Sequence, residues 1–269
     1  MRLTIQHETR YRFDRPAQHS IQYLRLTPRP DLSQAVVAWQ VSTPGQMRRW
    51  IDGFGNTAHV CVHNGVHDEV PVLVRGEIET FDTHGVLPSD DGLPPRMFLR
   101  PTPYTQVDDP IRELAKPLVE RVRDEGAIAG LHALMWALHN AVAYSPGITD
   151  ISSTASEALA HGRGVCQDYA HLFIAGARVL AIPARYVSGY LYTDEGSLAS
   201  HAWAEAYVDD LGWVSFDGAN SQCATDAYVR LAVAFDYAGA SPIRGVRKGG
   251  GIEEMSVLVK VVQSNGEGQ

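Results

Sequence analysis

Residues 162 to 180 read GRGVCQDYAHLFIAGARVL, a glycine-punctuated turn that delivers a cysteine onto the start of an apolar-faced helix. A thiol is a poor nucleophile until it ionises. A helix N-terminus, with unpaired backbone N–H groups and the positive end of the helix dipole, favours the thiolate. Polar Gln167 and Asp168 follow Cys166 directly, whereas a buried structural cysteine gains from apolar surroundings. The pattern therefore points to an activated nucleophile, which needs a base and a group to orient that base. Downstream the chain offers His201 in SHAWAEAYV and Asp217 in GWVSFDG, both in strand-like alternating segments.

Cys, His and Asp in that order resemble the transglutaminase-like superfamily of cysteine enzymes, in which a Cys on a helix N-terminus faces a His and an Asp on adjacent strands. The similarity is closer to its bacterial branch. The blocks GVCQDxAH, RYVSGY, HAWxE and GWxxFD of that branch read here at 164–171, 185–190, 201–205 and 212–217. Relatives usually follow the Asp with Pro-Thr-Asn, whereas Gly218 and Ala219 precede Asn220 here. The resemblance implies a papain-like core behind an N-terminal β-domain, which the HETRYRF opening and the DGFGN turn also resemble.

The local patterns read the same way. Even positions from 2 to 14 are polar or charged, while Leu3, Ile5, Tyr11 and Phe13 occupy odd ones, the signature of a half-buried strand. Alternation returns at Ala35, Val37, Trp39 and Val41 and at Val70, Val72, Val74 and Ile78, with Asp52 to Asn56 as a hairpin turn. Residues 1–84 are thus a β-rich, sandwich-like domain, expected to be a structural partner rather than a recognition module. Residues 85–104, dense in Gly, Pro and Asp, read as a linker.

The stretch 105–269 is expected to be the catalytic core. One helix there is capped at Asp109-Pro110, with a kink allowed at Pro117, and a second carries Ile128, Leu131, Met135 and Leu138 on one face. His132 and His139 lie in that helix and read as surface or core histidines. A short helix ends at Gly162. After the Cys166 helix, strands follow near 184–192, 200–208, 213–217, 231–235 and 255–262. The expected class is α+β, helices packed on a mainly antiparallel sheet.

In the chemistry the resemblance implies, Cys166 attacks a carboxamide or peptide-type carbonyl, His201 moves the proton, and Asp217 holds the imidazole in its productive tautomer. The backbone N–H of Cys166 is the natural first oxyanion donor. Tyr144 and Gln167 are candidates for the second. Asp168, a further candidate at the oxyanion or groove, suits the first turn of a helix, yet a carboxylate there would oppose thiolate formation, so it is expected to pin the loop or to contact a positive group. Tyr190 and Trp203 are candidate groove residues. Cys166, His171 and His201 lack the paired spacing of a zinc site, and no EF-hand or phosphate-binding loop is present; no cofactor or metal is implied.

The expected substrate is a peptide, a protein or a small amide, with hydrolysis preferred to amine transfer. The alternatives are a cross-linking transglutaminase, an acyltransferase of the arylamine N-acetyltransferase kind, and an inactive peptide-binding module of the same fold. A formal charge of −8 without a Lys/Arg cluster argues against nucleic acid or an anionic membrane as partner. The opening residues carry no apolar leader and no run is long enough for a membrane helix, so a cytoplasmic location is expected. Three cysteines, Cys61, Cys166 and Cys223, do not suggest a disulfide framework.

Overall fold

In the computed structural model, which describes residues 1–88, 92–193 and 200–263, the N-terminal alternation becomes β1 (Arg2–Leu24), a strand far longer than its first apolar pattern. It is followed by β2 (Gln34–Ser42), β3 (Gln46–Ile51) and β4 (Thr57–Thr80). β1 and β4 pair antiparallel from Arg2 opposite Glu79 to Leu24 opposite His59, with register shifts between Arg12 and His19. β4 takes β2 as its other neighbour at one end and β3 at the other. Leu3, Ile5 and Val72 from one end and Leu24 and Cys61 from the other share one apolar cluster. The β3–β4 turn is closed by Asp52, whose carboxylate accepts from the Phe54 and Asn56 N–H groups at 2.9 and 3.0 Å.

The chain continues through β5 (Val86–Leu87), α1 (Asp109–Ala115), α2 (Leu118–Glu125), α3 (Ala127–Ala141), β6 (Ala143–Tyr144), α4 (Ala155–His161), β7 (Arg163–Gly164) and α5 (Cys166–Val179). It then forms β8 (Ala184–Leu191), β9 (Ser200–Val208), β10 (Gly212–Phe216), β11 (Tyr228–Ala234), α6 (Tyr237–Ala240), β12 (Ile243–Gly249) and β13 (Glu253–Gln263). Asp108 rather than Asp109 caps α1, accepting from the Ile111 N–H at 3.0 Å, because Asp109 and Pro110 already lie inside the first turn. Pro117 separates α1 from α2. Among the described residues, no helix is long and apolar enough to cross a membrane.

The second sheet runs in the order β11-β8-β9-β10-β5, every pair antiparallel. α5 is buried all round from Gln167 to Ala177, because α1, α3 and α4 cover the sides that the sheet does not. The fold is therefore the expected mixture of helices on a mainly antiparallel sheet. The stretch 85–104 takes part in it: β5 extends the sheet beside β10, and Phe98 is fully buried against Phe54, Trp213 and Phe235.

The last two strands depart from the expected core of 105–269. β12 and β13 both pair with β1, from Leu24 opposite Ile243 and from Phe13 opposite Glu253, so the C-terminal hairpin belongs to the N-terminal sheet. Alternating sequence states that a strand forms and which face is apolar; it does not state the partner.

The two sheets are joined through β11, whose outer edge would otherwise leave backbone groups unpaired. The Gln34 side chain donates to the Arg230 carbonyl at 2.7 Å and accepts from its N–H at 2.8 Å. Asn56 does the same to Val233 at 2.8 and 2.9 Å. Each amide mimics one rung of a missing strand.

Candidate active site

The approach to Cys166 is set by glycines and one acid. Gly162 ends α4 at φ 58°, a left-handed conformation that glycine adopts without a Cβ penalty. β6 and β7 then pair in parallel, holding Tyr144 opposite Gly164. A Cβ at Gly164 would sit 2.8 Å from Asp168, so the glycine is what allows that side chain in. Asp168 Oδ2 accepts from the Val165 N–H at 2.8 Å and from Thr149 Oγ1 at 2.6 Å. Burial pushes its carboxyl up from the ordinary value. The acid pins the loop and the helix start, as expected.

Cys166 is the first residue of α5 and is half-buried. The N–H groups of a first helical turn have no intrahelical acceptor, so those of Cys166 and Gln167 are available beside the thiol. Gln167 is buried and its Nε2 lies 3.5 Å from the Ile151 carbonyl.

Gly189 of β8 pairs with His201 of β9, and β9 pairs with β10, which ends just before Asp217. This places His201 Nε2 2.6 Å from Asp217 Oδ2. The Cys166 thiol is near enough to the imidazole to help raise its pKa. Burial pulls the His201 pKa down, but Asp217 and Cys166 outweigh it and raise the ring to about 10. Against its own burial, Asp217 is held below the usual carboxylate range by His201, Asn220 and Tyr228.

Sequence reasoning missed how tightly Asp217 is held. Its Oδ1 accepts from the N–H groups of Ala219 and Asn220 at 3.0 and 3.2 Å. Its Oδ2 accepts from Asn220 Nδ2 and the Tyr228 hydroxyl, both at 2.7 Å. Gly218 and Ala219 in place of Pro-Thr therefore preserve the turn around the acid. Asn220 was visible as the end of the family's Pro-Thr-Asn run; Tyr228, on β11, carried no local signal. His139 lies 3.2 Å from the Gly218 carbonyl and His132 packs edge-on to Phe216, so both brace α3 against the strand that bears Asp217.

The remaining candidates divide. Trp203 is almost wholly buried, stacked at 25° on His201 and edge-on to Tyr228. It backs the imidazole from the same face of β9 and lies outside the lining of the cavity beside Cys166. Tyr190 does line the cleft, with its hydroxyl 2.7 Å from His7 Nδ1. Tyr144 is exposed; its phenol is pushed up by burial first and then by Cys166 and Asp217, which places it within electrostatic reach of both. His171 accepts from the Tyr237 N–H at 3.1 Å and burial drives it down to about 3, so it is a neutral core histidine.

Cys166 and His201 open on a cavity of about 720 Å³, within the usual size of a ligand site. Its near side is formed by the core, including Tyr186 and Ser188. Its far side is formed by His7, Thr9, Tyr11 and Phe13 of β1 with Met255 and Val257 of β13. The N-terminal sheet is thus more than a structural partner: one face of it walls the cleft.

Comparison with known proteins agrees with this architecture. The transglutaminase-like superfamily matches residues 112–218 and the bacterial transglutaminase-like N-terminal region matches residues 3–79. An uncharacterized protein of Mycobacterium leprae is 30% identical over 97% of this chain and 99% of its own. One of Mycobacterium tuberculosis is 29% identical over 91% of this chain and 87% of its own. A crystal structure of a candidate cysteine protease from Cytophaga hutchinsonii superposes with a TM-score of 0.76 at 22% identity, covering 98% of this chain and 92% of that one.

Proposed function

Because this chain belongs to the transglutaminase-like superfamily, with the bacterial N-terminal region ahead of its core, we propose that it is a cysteine-dependent enzyme that cleaves amide, peptide or isopeptide bonds through a thioester. Cys166, His201 and Asp217 serve as its catalytic triad. The observation that carries the reading is the His201 ring held 2.6 Å from Asp217, with its pKa raised by Asp217 and by the Cys166 thiol at the start of α5. A ring that keeps its proton up to about pH 10 places a positive charge beside Cys166 at neutral pH, the setting in which a thiol is activated.

In this scheme Cys166 Sγ attacks the carbonyl carbon, and the oxyanion is met by the Cys166 N–H and by Tyr144 or the Gln167 side chain. Collapse breaks the C–N bond, the amine leaves with the proton from His201, and the acyl group stays on sulfur. Water, deprotonated by His201, then attacks the thioester to release acid and free thiol. Hydrolysis is preferred to amine transfer because the half-buried Cys166 is open to water, and a transferase must exclude water while seating a second substrate. The residue set also favours an enzyme over an inactive binding module, since a scaffold without chemistry has no need to hold His201 and Asp217 so closely.

The test is trapping. The protein is incubated with peptide and amide libraries, with and without a millimolar primary amine, quenched, and read by intact mass. An acyl adduct on Cys166 that resolves to free acid is expected. Turnover that survives in Cys166→Ala would overturn the scheme, and dominance of the amine conjugate at low millimolar amine would make the protein a transferase.

A further inference from the structure

The far wall of the cleft is built by alternation. Odd-numbered residues of β1 from His7 to Phe13 face the cavity, and across the ladder Glu253 pairs with Phe13, Met255 with Tyr11 and Val257 with Thr9. β12 adds Arg247, whose guanidinium lies over the Phe13 ring, and Arg244, which pairs with Tyr23 at a position of opposite parity and joins the lining beside the Ala238 carbonyl. Most of this surface is aromatic or aliphatic, so its charges stand out.

Three ionised side chains lie on this wall. Arg247 is committed, with Nη1 3.1 Å from Glu253 Oε2 and Nη2 donating to the Gly251 carbonyl at 2.8 Å. Arg244 is different: its one hydrogen bond is to the Ala238 carbonyl at 3.1 Å, and among the described residues it has no carboxylate partner. His7 adds no charge, because burial lowers it to about 4. The cleft wall therefore carries two guanidiniums against one carboxylate in a chain of net charge −8.

We propose that this wall is a recognition surface for an acidic peptide, with Arg244 receiving a substrate carboxylate while Tyr11, Met255 and Val257 support its apolar part. The proposal rests on the assignment of Cys166 as the nucleophile only in taking the cavity as the substrate site. A guanidinium free of protein carboxylates offers a bidentate, charge-assisted contact to a carboxylate. Bonded to the Ala238 carbonyl of α6, Arg244 sets that contact where the C-terminal hairpin meets the core.

Binding separates this inference from the chemistry. The probes are N-acetyl tetrapeptide amides of one framework that carry Glu, Gln or Lys at each position in turn, titrated into the Cys166→Ala protein by calorimetry at low salt. At one position at least, the Glu peptide is expected to bind roughly tenfold more tightly than its Gln counterpart. Arg244→Gln in the same background should erase that preference and Arg244→Lys should retain part of it. Unchanged melting temperatures would certify the fold of both exposed-site variants. Equal affinities for Glu and Gln peptides, a preference that persists in Arg244→Gln, or no binding by any peptide of the set would overturn the proposal. Acid-selective binding without thioester formation by the wild-type protein would instead count against the nucleophile and leave the recognition surface standing.

Discussion

His201 Nε2 and Asp217 Oδ2 lie 2.6 Å apart across β9 and the end of β10, and the pair is almost entirely out of solvent. The ring is raised from 6.5 to about 10 in the folded chain. It binds its proton more tightly folded than unfolded, so its stabilisation is complete below about 6.5 and is lost as pH rises through about 10. Urea unfolding of wild type and His201→Gln should differ most near pH 6, with the gap closing toward pH 10. A gap independent of pH would remove the ion pair from the account.

Asp217→Asn should lower turnover by roughly 10²- to 10⁴-fold while the protein stays folded, because the productive tautomer is lost. Tyr228→Phe removes one of the three bonds to Asp217 Oδ2 and should cost about 1 kcal/mol of stability. With that donor gone the carboxylate is less neutralised beside His201, so the high-pH limb of the rate profile should move upward, which a purely structural role would leave in place.

The three thiols should separate in alkylation. Burial pushes Cys61 up to about 11 and also raises Cys223, so both are protonated near neutrality, whereas Cys166 faces a charged imidazole. Peptide mapping after brief iodoacetamide treatment should find the label on Cys166 first. Equal labelling of all three would contradict an activated thiol.

Glu205 is the hidden member of the HAWxE block. It sits between Arg185 at 2.7 Å and Arg230 at 2.6 Å, and Arg230 also reaches Asp31 at 2.8 Å. Burial would raise its carboxyl, but Arg230 and Arg185 hold it down to about 2. Its contribution is present above about 4.5, the ordinary value, and fades as pH falls through 2. Glu205→Gln leaves two guanidiniums facing each other and should cost about 3–5 kcal/mol in denaturant unfolding near neutral pH. A loss below about 1 kcal/mol would mean the network relaxes around the change.

Asp168→Ala removes the acceptor for the Val165 N–H and for Thr149. A loss of about 1–2 kcal/mol is expected, the size of a helix cap, together with faster proteolysis of the segment between Ser145 and Thr154. Unchanged proteolysis would show that the loop is held by other contacts.

Much of the site was legible because its parts are local. A glycine turn before an apolar-faced helix places Cys166 at a helix start whatever surrounds it, and alternation in SHAWAEAYV and GWVSFD puts His201 and Asp217 on strands. Family blocks then supplied the pairing. Asn220 could be read from the same source, but Tyr228 could not, since its bond to Asp217 joins residues on strands that are not neighbours in the sheet. For Trp203, alternation assigns the side chain to a face but leaves open how deeply it is buried.

What the sequence determined by itself is the short-range grammar: the cysteine at the start of its helix, the polar-apolar alternation of the strands, the Asp52 to Asn56 turn, and the stop at Gly162. These follow from backbone sterics and from periods of 3.6 and 2. What only the tertiary structure decided is which strands meet. β1 could have paired with any apolar edge, yet it takes β12 and β13 from the far end of the chain, bringing Arg244 and Met255 into the lining of the cavity that holds Cys166. Backbone hydrogen bonding is the same for every strand, so partner choice rests on the fit of buried faces across the whole fold, and no stretch of sequence carries that information alone.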